Sequence, residues 1–101
     1  MDKIYFVLPA YNEAENIDDV GKQWYAVVQK INDEGNEATL CIADDGSKDD
    51  TMQRMKELAT SCPHFKPLAK KNSGHGATVL YLYRHVIEQG ADFIFKSDST
   101  G

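Results

Sequence analysis

Asp44 and Asp45 are adjacent carboxylates followed by Gly46-Ser47. Two such acids at the mouth of a sheet repel one another unless a cation or a donor-rich ligand stands near. Neighbouring side chains leave a strand end in different directions, so one acid is expected to reach into a site and the other to brace the loop. Acids at alternate positions before a glycine, the calcium-loop spacing, are missing. Gly74-His75-Gly76 offers a second chemistry, because amides unobstructed by side chains at a helix start can approach a phosphate. Lys70, Lys71 and His75 add positive charge around it. Val79 stands where a dinucleotide fingerprint needs its third glycine, and no Gly-Lys-Ser/Thr follows for a Walker A loop. Asp98 could hold a divalent ion bridging a diphosphate, and Tyr11 could stack on a base. Each segment also has a plain structural reading: a capped turn, a helix start, a strand-end cap, and packing beneath a loop.

The elements that would position these residues follow from the hydrophobic pattern. Ile4-Tyr5-Phe6-Val7-Leu8 is a continuous apolar run that Pro9 is expected to end, and continuity suits a central strand covered on both faces. Asn12 and Glu15 have capping-box spacing, and Ile17, Val20, Trp24, Val27 and Ile31 follow at helical intervals up to a stop near Gly35. Ala38 to Ala43 reads as a second strand, broken by a turn at Asp44-Asp45-Gly46-Ser47. Acids at 49 and 50 open a second helix through Met52, Met55, Leu58 and Ala59, which Pro63 closes. Phe65 to Ala69 is a third strand, Ala77 to Gln89 a third helix with Gly90 behind it, and residues 91–96 a fourth strand. Alternating strands and helices predict an α/β fold, a three-layer α/β/α arrangement on a mostly parallel central sheet. Ligands gather beyond the carboxyl ends of such strands, and all the segments above fall there.

The 101 residues, 42% of them hydrophobic, make one domain with a core of its own. A net charge of -5 argues against a nucleic-acid binder, which needs a basic face. Residues 1–50 carry twelve acids against four bases, and residues 51–101 four against seven. A site between the halves could therefore offer carboxylates to a metal or ribose and cations to a phosphate. No apolar stretch reaches the ~20 residues of a membrane-spanning helix, and no signal peptide is visible, which reads as cytoplasmic. Cys41 and Cys62 lack zinc spacing and read as reduced thiols. The chain stops directly after the fourth strand, as a truncated domain would.

Four segments in this order resemble the nucleotide-binding half of the family 2 glycosyltransferases of the GT-A fold. They are Val7-Leu8-Pro9-Ala10-Tyr11-Asn12-Glu13, Ala43-Asp44-Asp45-Gly46-Ser47-Lys48-Asp49, Asn72-Ser73-Gly74-His75-Gly76 and Ser97-Asp98-Ser99-Thr100-Gly101. The resemblance implies a Rossmann-like half that binds a nucleoside-diphosphate sugar for transfer to an acceptor such as a polyprenyl phosphate or a glycan. It implies that Pro9, Ala10 and Tyr11 hold the base and that Glu13 lies near the ribose. Asp45 would accept a hydrogen bond from the base, and Asp44 would support its loop. Gly74 and His75 would line the donor pocket, although His75 stands where many members have Lys. Asp98 and Ser99 match the start of the D-x-D motif, with Asp98 toward ribose or a divalent metal, Mn²⁺ or Mg²⁺. Thr100 replaces the second acid of that motif, so metal binding is expected to be weakened. The catalytic base is expected beyond this chain, which alone should not turn over. A sugar-phosphate nucleotidyltransferase and a non-catalytic flavodoxin-like binding module are the alternatives; the first would want a basic glycine-rich loop after strand one.

Overall fold

The computed structural model of the chain describes residues 2–97. In chain order the elements are β1 (Lys3–Ala10), α1 (Ile17–Asp33), β2 (Glu37–Asp45), α2 (Thr51–Ala59), β3 (Phe65–Lys70), α3 (His75–Glu88) and β4 (Phe93–Lys96). The four strands form one sheet in the order β3-β2-β1-β4, and every pair is parallel. This is the α/β class expected from the alternating pattern.

Two-sided burial explains the unbroken apolar runs. Phe6, Leu8 and Ala10 of β1 share one face with Leu40 and Ile42 of β2, and pack against Ile17, Tyr25 and Val28 of α1 and Met55 of α2. Tyr5, Val7, Cys41 and Ala43 point the other way, against Leu82 and Val86 of α3. Helices thus cover both faces and the sheet is the middle of three layers. Leu8, Leu40, Ile42 and Leu82 have no exposed surface, and burying each stabilises the fold by about 1.5–3 kcal/mol. On the outer strand, Phe93 and Phe95 remain half exposed, with Phe95 stacked on Phe6 at 5.3 Å between ring centroids.

Four boundaries differ from the sequence expectation. Pro9 does not end β1, which runs on through Ala10 in register with Asp44. Lys3 and Val7 accept bonds from Asp92 and Ser97 on the β4 side, so the missing N–H of Pro9 faces that same side, beyond the last β1–β4 pair, Val7↔Lys96. The β1–β4 ladder stops short of Pro9, as a residue without an N–H requires, while Pro9 keeps its pairing with Ala43 of β2. Asn12 is not a helix cap: its φ of 51° is left-handed, which an N-cap residue does not adopt but asparagine tolerates. A turn closed on the Glu13 carbonyl by the amides of Asn16 and Ile17 delays α1 to Ile17. The strand β2 carries both acids, because Asp44 and Asp45 are still paired with Ala69 and Lys70 of β3. Finally, α3 starts at His75 and includes Gly76.

Candidate functional site

Because all four strands are parallel, the segments after β1, β2 and β3 leave from the same edge of the sheet, and hydrogen bonds tie them together. Asn12 donates its amide to Ser47 Oγ at 2.8 Å, and its Oδ1 accepts from the Lys48 amide at 2.9 Å. Glu13 donates its amide to Thr51 Oγ1 at 2.8 Å, and the Ala14 amide reaches Asp49 at 3.3 Å. The loop after β1 is thereby fastened to the loop after β2.

The loop after β2 is fastened in turn to the loop after β3. Asn72 Nδ2 donates to the Asp45 carbonyl at 2.9 Å. The amides of Ser73 and Gly74 donate to the two carboxylate oxygens of Asp45 at 2.9 and 3.0 Å, and Lys70 Nζ reaches Oδ1 at 2.9 Å. Backbones meet closely here: a Cβ on Gly46, whose φ is +68°, would stand 2.6 Å from the Asn72 amide nitrogen. Only glycine meets both demands.

Asp44 and Asp45 divide the work. Alternation along β2 sends Asp44 to the α1/α2 face, where it accepts from the amide and hydroxyl of Ser47. Asp45 emerges on the α3 face. Burial pushes its carboxyl pKa up, but bonds from Lys70, the Ser73 amide, Thr78 and the Gly74 amide outweigh that and hold it below the usual carboxylate range. Asp45 is therefore a buried, ionised acceptor. Asp49 is held low chiefly by the Thr51 hydroxyl, which also receives the Glu13 amide.

Gly74 precedes α3 with a φ of 98°, a conformation that favours glycine. A Cβ at Gly74 or Gly76 would meet nothing within 4 Å, so open space lies beside both glycines at the start of α3. That is the layout an anion needs. Tyr11 is 42% exposed at the end of β1, and Glu13 is half buried beside Thr51. Pro9 and Ala10 are buried within β1, so of that run only Tyr11 presents its side chain to solvent. His75 is exposed at the first position of α3. A cavity of about 430 Å³ runs along the outer side of α3 and touches the site through Lys70.

A comparison with known sequences decides what this edge belongs to. Residues 5–95 match the profile of "Glycosyl transferase family 2", from β1 through the third residue of β4. The chain belongs to glycosyl transferase family 2. It is similar to a protein of Bacillus subtilis named "Putative glycosyltransferase CsbB", 30% identical over 84 residues, 82% of this chain and 25% of that one. It is also similar to "Dolichyl-phosphate beta-glucosyltransferase ALG5C" of Trichomonas vaginalis, 35% identical over 77 residues, 73% of this chain and 23% of that one. The chain spans about a quarter of the length of these relatives.

Within this family 2 frame, Tyr11, Glu13, Asp44, Asp45, Gly74 and His75 all lie on or beside the three stitched segments. Asp98, Ser99 and Thr100 lie outside the described residues. Among the described residues no group of three or more His, Cys, Asp or Glu side chains could hold a metal ion. Asp45 faces an ammonium and Asp44 a serine hydroxyl, so the described acids do not make a metal site by themselves. No helix among the described residues is long and apolar enough to cross a membrane. Sequence reasoning quoted Ser47 and Asn72 within the matching segments but gave them no role, passed over Thr51, and treated Lys70 only as charge near an anion loop. Asp44-x-x-Ser47 and Asp49-x-Thr51 are local side-chain capping spacings that could have signalled Ser47 and Thr51. Lys70 and Asn72 carry no such signal, because their roles depend on the β2–β3 register.

Proposed function

We propose that this chain is the donor-binding region of a glycosyltransferase that uses a nucleoside-diphosphate sugar. The sugar would pass to an acceptor hydroxyl or phosphate with inversion at the anomeric carbon. The supporting observation is the joining of three loops through Asp45 and Asn12 at the one sheet edge where the space beside Gly74 and Gly76 is open at the start of α3.

In this reading Tyr11 stacks on the base, Asp45 accepts a base N–H, Glu13 approaches the ribose, and the first turn of α3 with His75 faces the diphosphate. Preset donors at a helix start stabilise charge as it develops on the leaving nucleoside diphosphate, without reorganisation during the reaction. A divalent ion, Mn²⁺ or Mg²⁺, held with Asp98 and the diphosphate, would add further charge stabilisation, weakened by Thr100 at the second acid position. The role of base toward the acceptor is assigned to no residue of this chain, and the chain alone is expected not to turn over. A polyprenyl phosphate suits the similarity to the dolichyl-phosphate glucosyltransferase, and a glycan is the other acceptor class. The reaction is placed in the cytoplasm, at a membrane face where the acceptor is a lipid phosphate. No observation favours the nucleotidyltransferase or flavodoxin-like readings.

Calorimetric titration with UDP and with GDP, each with and without Mn²⁺, tests the proposal. Saturable binding of one nucleotide, weakened about tenfold or more by Asp45→Ala, is the expected result, tenfold being one lost charged hydrogen bond. Absence of binding by either nucleotide well above millimolar concentration would overturn it.

A further inference from the structure

We propose that Lys70 is a positioning residue of the donor site, holding the Asp45 carboxylate and the 71–74 loop as one preset unit. This rests on the donor-binding reading above. Lys70 is the last residue of the edge strand β3, in register with Asp45 of β2. Its ammonium donates to Asp45 Oδ1 at 2.9 Å, to the Lys71 carbonyl at 2.8 Å and to Ser73 Oγ. An ammonium has three N–H groups, and here each finds an oxygen on a different residue. The Lys70 and Asp45 side chains are only 11% and 7% exposed, and Nζ lies 6.0 Å from the centre of the Tyr81 ring.

A lysine serving only solubility would keep its head in water and its rotamers free. Lys70 does the reverse. Its cation replaces the water that Asp45 loses on burial, and the same contact fixes Ser73, whose amide returns to the same carboxylate oxygen. Three points on two segments are thereby locked around one charge. Lys70 acts through Asp45 and the loop amides. Without it, the loop would have to be ordered when nucleotide binds, and that ordering would be subtracted from affinity.

The test compares the chain with Lys70→Met, Lys70→Arg and Lys71→Met. Amide hydrogen exchange is read at Ser73 and Gly74, the Asp45 carboxyl is titrated by carbon NMR, and UDP and GDP are titrated into each protein. In Lys70→Met, exchange at Ser73 and Gly74 should accelerate while the Leu40–Ile42 amides stay protected. The Asp45 titration should move up in pH, and nucleotide affinity should fall roughly 10- to 100-fold, the range for losing charged hydrogen bonds. Lys70→Arg should keep the low Asp45 titration and recover part of the affinity. Lys71→Met should leave the exchange and the Asp45 titration as they are. A folded Lys70→Met with unchanged exchange and titration would overturn the proposal, as would Lys71→Met matching its effects. Should Lys70→Met not fold, Lys70→Arg decides: an Asp45 titration shifted up despite the retained cation would overturn it. If the unaltered chain binds neither nucleotide, the donor-binding reading fails, while exchange and carboxyl titration still report whether Lys70 holds this corner.

Discussion

Asp44 and Asp45 are consecutive on β2 yet serve opposite faces of the sheet, the first bonded to Ser47 and the second to Lys70, Ser73 and Gly74. The strand's alternation separates two charges that would otherwise repel. Their replacements should therefore behave differently. Asp44→Ala strips the Ser47 amide and hydroxyl of their acceptor and should destabilise the fold by about 1–3 kcal/mol. Asp45→Asn leaves a nearly buried lysine without its counter-charge and should cost more, about 3–5 kcal/mol. Urea unfolding of both variants against the unaltered chain measures the order.

Acid sensitivity follows from the same carboxylate. Asp45 is held low because its hydrogen bonds outweigh burial, and Asp49 is held low first by the Thr51 hydroxyl. Both folded values lie below the ~3.9 of an unfolded aspartate. Their contribution to stability is therefore fully present above about pH 4 and is lost as pH falls through the folded values. Thermal unfolding of the unaltered chain between pH 6 and pH 2 should show this decline, and Asp45→Asn should flatten part of it.

Two glycines of the site should separate stability from binding. Gly46→Ala forces a methyl to 2.6 Å from the Asn72 amide in a left-handed backbone. It should lower stability by more than the roughly 1–2 kcal/mol of left-handed strain alone. Gly74→Ala carries the strain but meets no atom within 4 Å. Its stability loss should stay within that strain, while nucleotide binding drops because the methyl enters the space before α3. Parallel unfolding and UDP titrations check the contrast.

Cys41 is buried between β1, β3 and α3, and that burial pushes its thiol pKa up to about 12, with Lys66 opposing the shift only in part. The thiolate is the reactive form, so native Cys41 should resist iodoacetamide at pH 8 and become labelled only on unfolding. A raised folded value also means that its contribution to stability is present below the ordinary value of 9.0 and is lost as pH climbs toward 12. Mass-spectrometric labelling rates with and without denaturant test the thiol directly.

The three layers and the alternation of strands and helices were legible in the apolar runs, because a strand covered on both faces has no polar alternate positions to confuse the reading. Edges were less so. Pro9 and the Asp44-Asp45 pair look like strand breakers, and only the strand pairing shows that Pro9 still lies beside Ala43 of β2, with the β4 ladder ending before it, and that both acids are still paired. Asn12 has the spacing of a cap, but a long-range bond to the Lys48 amide, 36 residues away, claims its side chain. The acids and the Gly74 loop could be found by residue type. Lys70 could not, since a lysine in a Lys-Lys pair looks like solvated surface until the register sets it against Asp45.

The central claim is that the loops after β1, β2 and β3 form one nucleotide pocket, and an amide-resolved NMR titration of the chain with UDP and with GDP tests it most directly. Saturable shifts should appear together at Tyr11, Asp45 to Ser47 and Gly74 to Ala77, and be absent at Thr39, Lys66 and Gln89, around the 520 Å³ cavity at the far end of the strands. Shifts centred on that far cavity, or no saturable shift at any of the three loops, would contradict it.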